Sequence, residues 1–153
     1  MKILVSACLL GENCKYSGGN NYNQAVCDFA RGHQVVPVCP EVLGGLPTPR
    51  CPAEIVQGVV TNKEGINVDR EFRAGAAKAL AIAKENGAEL AILQSRSPSC
   101  GVKEIYDGTF SGTKIPGQGV FAKMLMDEGV RVLDAGELHR IILKNEDGKC
   151  QSD

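Results

Sequence analysis

Four short apolar runs recur along the chain, and each is followed by a polar or glycine-containing segment. Runs of this length, rich in Ile, Leu and Val, are typical of strands buried on both faces. They predict β-strands at residues 3–6, 34–38, 90–93 and 130–133. Segments with helical spacing of apolar residues are predicted to form helices at residues 23–30, 69–86, 120–127 and 135–145. Asp69 is the expected N-cap of the longest helix, and Gly87 is its expected stop.

The predicted strands and helices alternate along the chain. This alternation predicts parallel pairing with right-handed crossovers. We therefore expect an α/β fold, a Rossmann-like three-layer αβα sandwich around about four parallel strands. The segments 55–61 and 65–68 flank Asn62-Lys63-Glu64-Gly65, so a small β-hairpin is expected there.

The rest of the chain reads as loops and a tail. The segment 42–52, with two glycines and three prolines, and the polar, glycine-rich stretch up to residue 118 are expected to be loops. No internal repeat or linker divides the chain. We expect a single domain over residues 1–145 and a polar C-terminal tail over residues 146–153.

Composition narrows the class of protein. The chain has 153 residues, 43% hydrophobic and 23% charged, as in an ordinary soluble domain. Seventeen basic and 18 acidic residues give a formal net charge of -1, which excludes a strongly basic protein held on nucleic acid mainly by phosphate contacts. No apolar run reaches the length of a membrane span, and the N-terminus lacks a signal-peptide layout. A cytoplasmic monomer or dimer is expected.

The seven cysteines indicate a chemical role beyond that of an ordinary soluble domain. An odd number in a reducing compartment favours metal binding or thiol chemistry over disulfides. No C-x-x-C pair occurs, which argues against zinc ribbons and thioredoxin-type redox pairs. Cys27 lies within a helical pattern and is expected to be a small buried hydrophobe.

Three of the cysteines follow predicted strands, namely Cys8, Cys39 and Cys100. In an open parallel sheet, ligands bind just beyond the carboxyl ends of the strands, so we expect these thiols to meet at one edge. Three thiolates suit a tetrahedral zinc with an open position. They equally suit a 4Fe–4S cluster with one open iron that has no protein ligand. The residues alone do not separate these two groups.

Possible acid–base groups lie beside the thiols. Glu41 follows Cys39 by two positions and is a candidate general base or acid. Ser97 and Ser99 precede Cys100 and are candidates to hold a substrate oxygen, a proton or a water. The ordinary alternatives are a solvated carboxylate at Glu41 and a turn shaped by the serines.

Substrate contacts are expected from the loops. Tyr16 and Asn20 lie in the first loop and are candidates to contact a planar ring. Arg50 is a candidate to neutralise the charge of a thiolate-bound cluster or of a substrate. With aromatic residues at only 5%, ring recognition is expected to depend on the backbone and Tyr16.

Several motifs together resemble a known family. The chain is similar to the small bacterial and archaeal family, formerly of unknown function, that includes the iron–sulfur thiouracil desulfidases. The resemblance extends over nearly the whole chain up to the last predicted helix. The matching segments are residues 5–11 (VSACLLG), 15–19 (KYSGG), 39–50 (CPEVLGGLPTPR) and 97–101 (SPSCG).

The resemblance implies a 4Fe–4S cluster on Cys8, Cys39 and Cys100, with the fourth iron free to take a substrate sulfur. Cys51 is the alternative to Cys39. The implied reaction is carbon–sulfur bond cleavage without net redox change, in which a thiolated pyrimidine such as thiouracil becomes uracil and hydrogen sulfide is released. Glu41 would activate water or shuttle a proton, assisted by Ser97 or Ser99.

Two other functions use the same residue types. One is a sulfur-transfer protein that thiolates transfer RNA, for which the net charge offers no extended nucleic-acid surface. The other is a non-catalytic carrier of a metal or cluster. A carrier has no need of Glu41 or of the serines.

Overall fold

The structure, a computed structural model, describes residues 1–138. Its strands are β1 (Lys2–Ser6), β2 (Gln34–Val38), β3 (Ala53–Val56), β4 (Val59–Asn62), β5 (Leu90–Leu93), β6 (Glu104–Tyr106), β7 (Lys114–Pro116) and β8 (Arg131–Asp134). Its helices are α1 (Gln24–Ala30), α2 (Pro40–Leu43), α3 (Asp69–Asn86) and α4 (Val120–Asp127). A 3₁₀ turn, Ala7–Leu10, follows β1, and residues 135–138 are helical. The remainder of the last predicted helix and the predicted tail lie outside the described residues.

The main sheet has four parallel strands in the order β2-β1-β5-β8, which confirms the predicted sheet. From β1 the chain passes to β2 on one side, and β5 then pairs with β1 on the other side. The strand order therefore reverses between β1 and β5. At such a reversal the connections leave in opposite directions and open a crevice at the carboxyl ends of the strands.

Helices cover both faces of this sheet, as the alternation predicts. On one face Ile3 and Val5 of β1 pack in a buried cluster with Val26 of α1. On the other face Leu4 packs in a cluster with Phe72 of α3 and with residues of α4. Successive β1 residues enter opposite cores because strand side chains alternate between faces. No helix within residues 1–138 has the length and apolarity needed to cross a membrane.

The first hairpin turns at a different place from the predicted one. β3 and β4 are joined by Gln57 and Gly58, with φ of 50° and 81°, rather than by residues 62–65. Two positive φ values match a mirror-image two-residue turn, which follows the twist of the strands. The segment 62–65 does turn, with the Asn62 side chain accepting from the backbone N–H groups of Glu64 and Ile66. That turn leads out of β4 towards α3.

Two predicted loops contain regular structure. The segment after Cys39 forms α2, because Pro40 occupies the first turn of a helix, where no N–H is needed. The polar stretch up to residue 118 contains the second hairpin, β6–β7. β7 is only three residues long and fully exposed, so it has no apolar alternation that would predict a strand.

The predicted helix 69–86 and its stop at Gly87 are confirmed, but its predicted cap is wrong. Asp69 is the first helical residue, and Val68 at the N-cap position makes no side-chain cap. The Asp69 carboxylate instead accepts from the backbone N–H of Val60 at 3.0 Å and from Arg73 Nε at 2.7 Å. The residue therefore joins the hairpin to the helix.

Helices α2 and α3 touch through their backbones at two glycines. A Cβ built on Gly75 would lie 1.8 Å from the Pro40 carbonyl oxygen, and one on Gly44 would lie 2.0 Å from the Glu71 carbonyl oxygen. Both distances are far below van der Waals contact. The position of α2, which carries Glu41, is therefore set by two residues without side chains.

Gly75→Ala is expected to destabilise the protein by about 1–3 kcal/mol, because the new methyl group forces the two helices apart. At an unhindered helical site the same change would stabilise by roughly 1 kcal/mol, so the sign itself is informative. Urea unfolding followed by circular dichroism measures the effect. Gly19→Ala is the control, since its Cβ would meet only Ser17 Oγ at 3.5 Å. Equal stability of the Gly75→Ala variant and the native protein would contradict the close contact.

Candidate active site

A cavity of about 420 Å³ opens at the carboxyl end of the main sheet, beside the reversal of strand order. Cys8 enters it from the turn after β1, Cys39 from the end of β2, and Cys100 from the loop after β5. Three thiols that are distant in the chain thus line one cavity, at the edge where the strand ends predict them to meet. Cys51 does not line it and borders a smaller neighbouring cavity instead.

Two of these sulfurs lie beside polar side chains. Asn21 Nδ2 donates to Cys8 Sγ at 3.4 Å, and Ser99 Oγ lies 3.7 Å from Cys100 Sγ. Burial raises the pKa of the Cys8 thiol. Burial also raises the pKa of the Cys100 thiol to about 12. When no metal is bound, the raised pKa values keep the Cys8 and Cys100 thiols protonated at neutral pH.

A fourth thiol, Cys14, also lines the cavity. Its carbonyl oxygen accepts from Cys39 Sγ at 3.8 Å. Burial, together with the neighbouring Cys39 and Cys8 sulfurs, raises the pKa of the Cys14 thiol to about 12. Cys14 is not one of the three predicted ligands, so its place in the cavity wall is a finding of the structure.

Glu41 is held on both carboxylate oxygens. Its Oε1 accepts from Arg50 Nε at 3.0 Å, and its Oε2 accepts from Ser99 Oγ at 2.9 Å. The Arg50 and Glu41 side chains are 7% and 15% exposed, so the ion pair is largely withdrawn from water. Such a pair keeps a fixed geometry better than an exposed one does.

The two serines hold different positions. Ser97 Oγ accepts from the backbone N–H groups of Ser99 and Cys100 at 3.1 and 3.0 Å, so it shapes the turn that presents Cys100. The Ser97 and Ser99 hydroxyl oxygens are 2.9 Å apart. Ser97 Oγ is 3.5 Å from Glu41 Oε2, against 2.9 Å for Ser99 Oγ. Ser99 is therefore the stronger partner of the carboxylate.

The three expected substrate-contact residues lie in different surroundings. Tyr16 lines the cavity and is 43% exposed, with Lys15 Nζ 5.7 Å from the centre of its ring. Arg50 also lines the cavity. Asn20 does not, since it is exposed and its Nδ2 donates to Asn13 Oδ1 at 2.9 Å. The neighbouring Asn21 faces the cavity instead.

The second hairpin adds cavity residues that sequence reasoning missed. Tyr106 on β6 and Gly112 in the following loop line the cavity. Glu54, itself 9% exposed, holds this loop in place, since its Oε1 accepts from the backbone N–H groups of Gly108 and Phe110 at 2.9 and 3.2 Å. The sequence does not signal this anchor, because Glu54 directly precedes the predicted strand 55–61 and its burial is known only from the structure.

Cys8, Cys14, Cys39 and Cys100 line this cavity together. Among residues 1–138, no group of three His, Cys, Asp or Glu side chains gathers closely enough to hold a single metal ion.

Two known proteins are similar to this chain over nearly its whole length. The uncharacterized protein YbbK of Bacillus subtilis (strain 168) is 43% identical over 150 residues, covering 92% of this chain and 99% of that protein. The solved structure of the [4Fe-4S]-dependent thiouracil desulfidase TudS is similar with a TM-score of 0.86 at 37% identity, covering 95% of this chain and 97% of that one.

The family itself is established by a match along most of the chain. The family model described as 2-thiouracil desulfurase matches residues 3–137. This range contains all four motifs on which the resemblance was based, and it confirms that resemblance. The chain belongs to the 2-thiouracil desulfurase family.

Proposed function

We propose that this chain is a 4Fe–4S-dependent desulfidase for thiouracil or a related thiolated nucleobase or nucleoside. One observation carries the proposal: a single cavity brings Cys8, Cys39 and Cys100 together with the paired Glu41 and Ser99. Membership of the 2-thiouracil desulfurase family and the likeness to a [4Fe-4S]-dependent thiouracil desulfidase support it. A mere carrier of the cluster would have no need of the half-buried Glu41 carboxylate or of the Ser99 hydroxyl paired with it.

The residues present fit a cluster. Each cysteine ligand of a 4Fe–4S cluster binds a different iron, so the thiols need to approach the cluster from separate places. These three line one cavity from the ends of three different strands. The Asn21 donor on the Cys8 sulfur is of the kind that tunes cluster stability and potential. Burial keeps the Cys100 thiol protonated, and a bound iron supplies the positive charge that its thiolate requires.

Cys8, Cys39 and Cys100 would hold the cluster in this proposal. When bound, it supplies a Lewis-acidic iron without a protein ligand, for which a soft thiocarbonyl sulfur is a suitable donor. The remaining chemistry falls to the chain. The cavity is within the size range of small-molecule sites, so it has room for a single pyrimidine ring.

Glu41 is the proposed proton acceptor for the attacking water. Its carboxylate is fixed by Arg50 on one oxygen and by Ser99 on the other, and each oxygen retains a lone pair for a further donor. A carboxylate held in this way takes the water proton as the C–O bond forms. Fixed orientation is what makes such a transfer efficient.

Ser99 is the serine that we assign to proton movement. Its hydroxyl lies 2.9 Å from Glu41 Oε2 and 3.7 Å from Cys100 Sγ, so it lies within reach of both the carboxylate and the Cys100 sulfur. It can return a proton from Glu41 towards the departing sulfur. Ser97 is assigned to holding the turn, because its oxygen already accepts two backbone N–H groups.

The reaction balances without an oxidant or reductant. One water adds to the thiocarbonyl carbon, the C–S bond breaks, and the water oxygen remains as the new carbonyl. Both water protons leave with the sulfur as hydrogen sulfide. Carbon and sulfur keep their oxidation states, so the chain needs no electron-transfer partner.

Anaerobic reconstitution tests the proposal. The loaded protein is expected to contain about four irons and four sulfides per chain and to absorb in the thiolate-to-iron charge-transfer region. It is then expected to convert 2- or 4-thiouracil to uracil with equimolar sulfide, and in H₂¹⁸O the label is expected in the new carbonyl. A colourless protein with one zinc, or a loaded protein that releases no sulfide, would defeat the proposal.

A further inference from the structure

The guanidinium of Arg50 lies in the cavity wall, but it is bonded to protein. Nε donates to Glu41 Oε1 at 3.0 Å, and Nη2 donates to the Cys14 carbonyl oxygen at 2.9 Å. Nη1 donates to the Pro47 carbonyl oxygen at 3.2 Å and to Thr48 Oγ1 at 3.1 Å. Four of its five N–H groups therefore have acceptors among the described residues. Little hydrogen-bonding capacity remains for a molecule in the cavity.

These acceptors belong to separate parts of the cavity wall. Glu41 lies on α2, whereas Cys14 lies in the loop after the first 3₁₀ turn. The backbone N–H of Arg50 also donates to the Tyr16 carbonyl oxygen in that first loop, at 2.7 Å. The Cys14 carbonyl that receives Nη2 is the same one that accepts from Cys39 Sγ. Arg50 thus ties the first loop, through the Cys14 and Tyr16 carbonyls, to the Glu41 carboxylate.

We infer that Arg50 is a positioning residue that fixes the Glu41 carboxylate, and that it does not bind the substrate. The inference rests on the proposed function, in which Glu41 accepts the water proton. A planar guanidinium fork can serve the carboxylate and the loop carbonyls at once. Lysine keeps the charge but lacks the fork, so it cannot hold these acceptors in the same geometry.

Arg50→Lys and Arg50→Ala test this role in the anaerobically loaded protein. We expect kcat for 2-thiouracil to fall by about 10²-fold in both, the usual cost of a misplaced catalytic group, with iron content unchanged. KM is expected to stay within about twofold, because uniform substrate binding is not removed. Added guanidinium ion is expected to restore part of the kcat of Arg50→Ala. Arg31→Ala is the matched control, since Arg31 pairs with Asp28 on the exposed face of α1.

The opposite kinetic pattern overturns the inference. A raised KM with unchanged kcat in Arg50→Lys would mean that the side chain binds the substrate directly. If added guanidinium restored none of the kcat of Arg50→Ala, as it is expected to change nothing in Arg31→Ala, that result would also count against a role specific to the guanidinium group.

A measurement without turnover separates this inference from the proposed function. In the metal-free protein, Arg50→Lys is expected to increase amide hydrogen exchange in the first loop, residues 12–18, and in residues 40–46 around α2. Arg31→Lys is expected to leave both segments unchanged. Unchanged hydrogen exchange in Arg50→Lys would overturn the positioning role of Arg50 even if the native protein released sulfide. Increased exchange in Arg50→Lys, together with a native protein that releases no sulfide, would support the positioning role while the proposed function failed.

Discussion

Replacing Cys8, Cys39 or Cys100 with alanine is expected to remove the cluster and with it all sulfide release. Each variant leaves two protein thiolates for a group that needs three, so iron after anaerobic reconstitution is expected to fall from about four per chain to below about one. The three residues line one cavity from three different strand ends. Iron and sulfide assays with the visible absorption spectrum measure the loss.

The remaining cysteines provide matched controls for this prediction. Cys27→Ala is expected to keep the full iron content, because Cys27 lies on α1 with its Sγ directed at the Leu9 carbonyl oxygen. Cys51→Ala is expected to keep it as well, since Cys51 borders only the neighbouring cavity. Cys14→Ala is the sharpest control, because Cys14 lines the same cavity as the three proposed ligands. Loss of iron in the Cys14 or Cys51 variant, with retention in Cys39→Ala, would reassign the third ligand.

The two central strands of the main sheet, β1 and β5, were predictable from sequence because they are buried on both faces. Leu90–Leu93 is an unbroken apolar segment, and all four residues are buried. The same applies to most of β1. Burial on both faces demands continuous hydrophobicity, which a single sequence displays. The parallel order then follows from the intervening helices.

The short elements around the site were not predictable on the same grounds. α2 has four residues, too few to display helical periodicity. β6 buries only Ile105, and β7 buries no residue, so their pairing depends on each other and on the Glu54 anchor of the adjoining loop. Such elements are selected by tertiary contacts, and a local pattern carries little information about them.

The site likewise contains residues whose position the sequence predicts and residues whose position it does not. The rule that ligands bind at the carboxyl ends of parallel strands places the three thiols correctly in one cavity from sequence alone. The surroundings of Arg50 depend on how residues 44–50 fold back towards Glu41, which no local spacing reveals. Likewise, only the structure distinguishes Asn20 from Asn21, since adjacent asparagines in a loop look alike in the sequence.

Glu41→Gln is expected to lower the rate of sulfide release by about 10²–10⁴-fold, the usual contribution of a positioned acid–base group. Glutamine has nearly the same shape, and its carbonyl oxygen can still accept from Arg50 Nε. We therefore expect α2 and the cysteines that line the cavity to keep their positions. The amide cannot take a proton from water. Iron and sulfide content are therefore expected to match those of the native protein, while steady-state sulfide release from 2-thiouracil collapses.

Variants of a remote carboxylate and of the neighbouring serines are the comparisons for the Glu41→Gln prediction. Glu128→Gln removes an exposed carboxylate paired with Lys84, and it is expected to leave both iron content and rate unchanged. Ser99→Ala is expected to lose more activity than Ser97→Ala in the fraction of protein that retains its cluster, because the Ser99 hydroxyl lies closer to Glu41 Oε2. Native-like turnover in Glu41→Gln would remove this residue from the proton path. Loss of iron in that variant would instead assign the carboxylate, or its ion pair with Arg50, to holding the cluster site together.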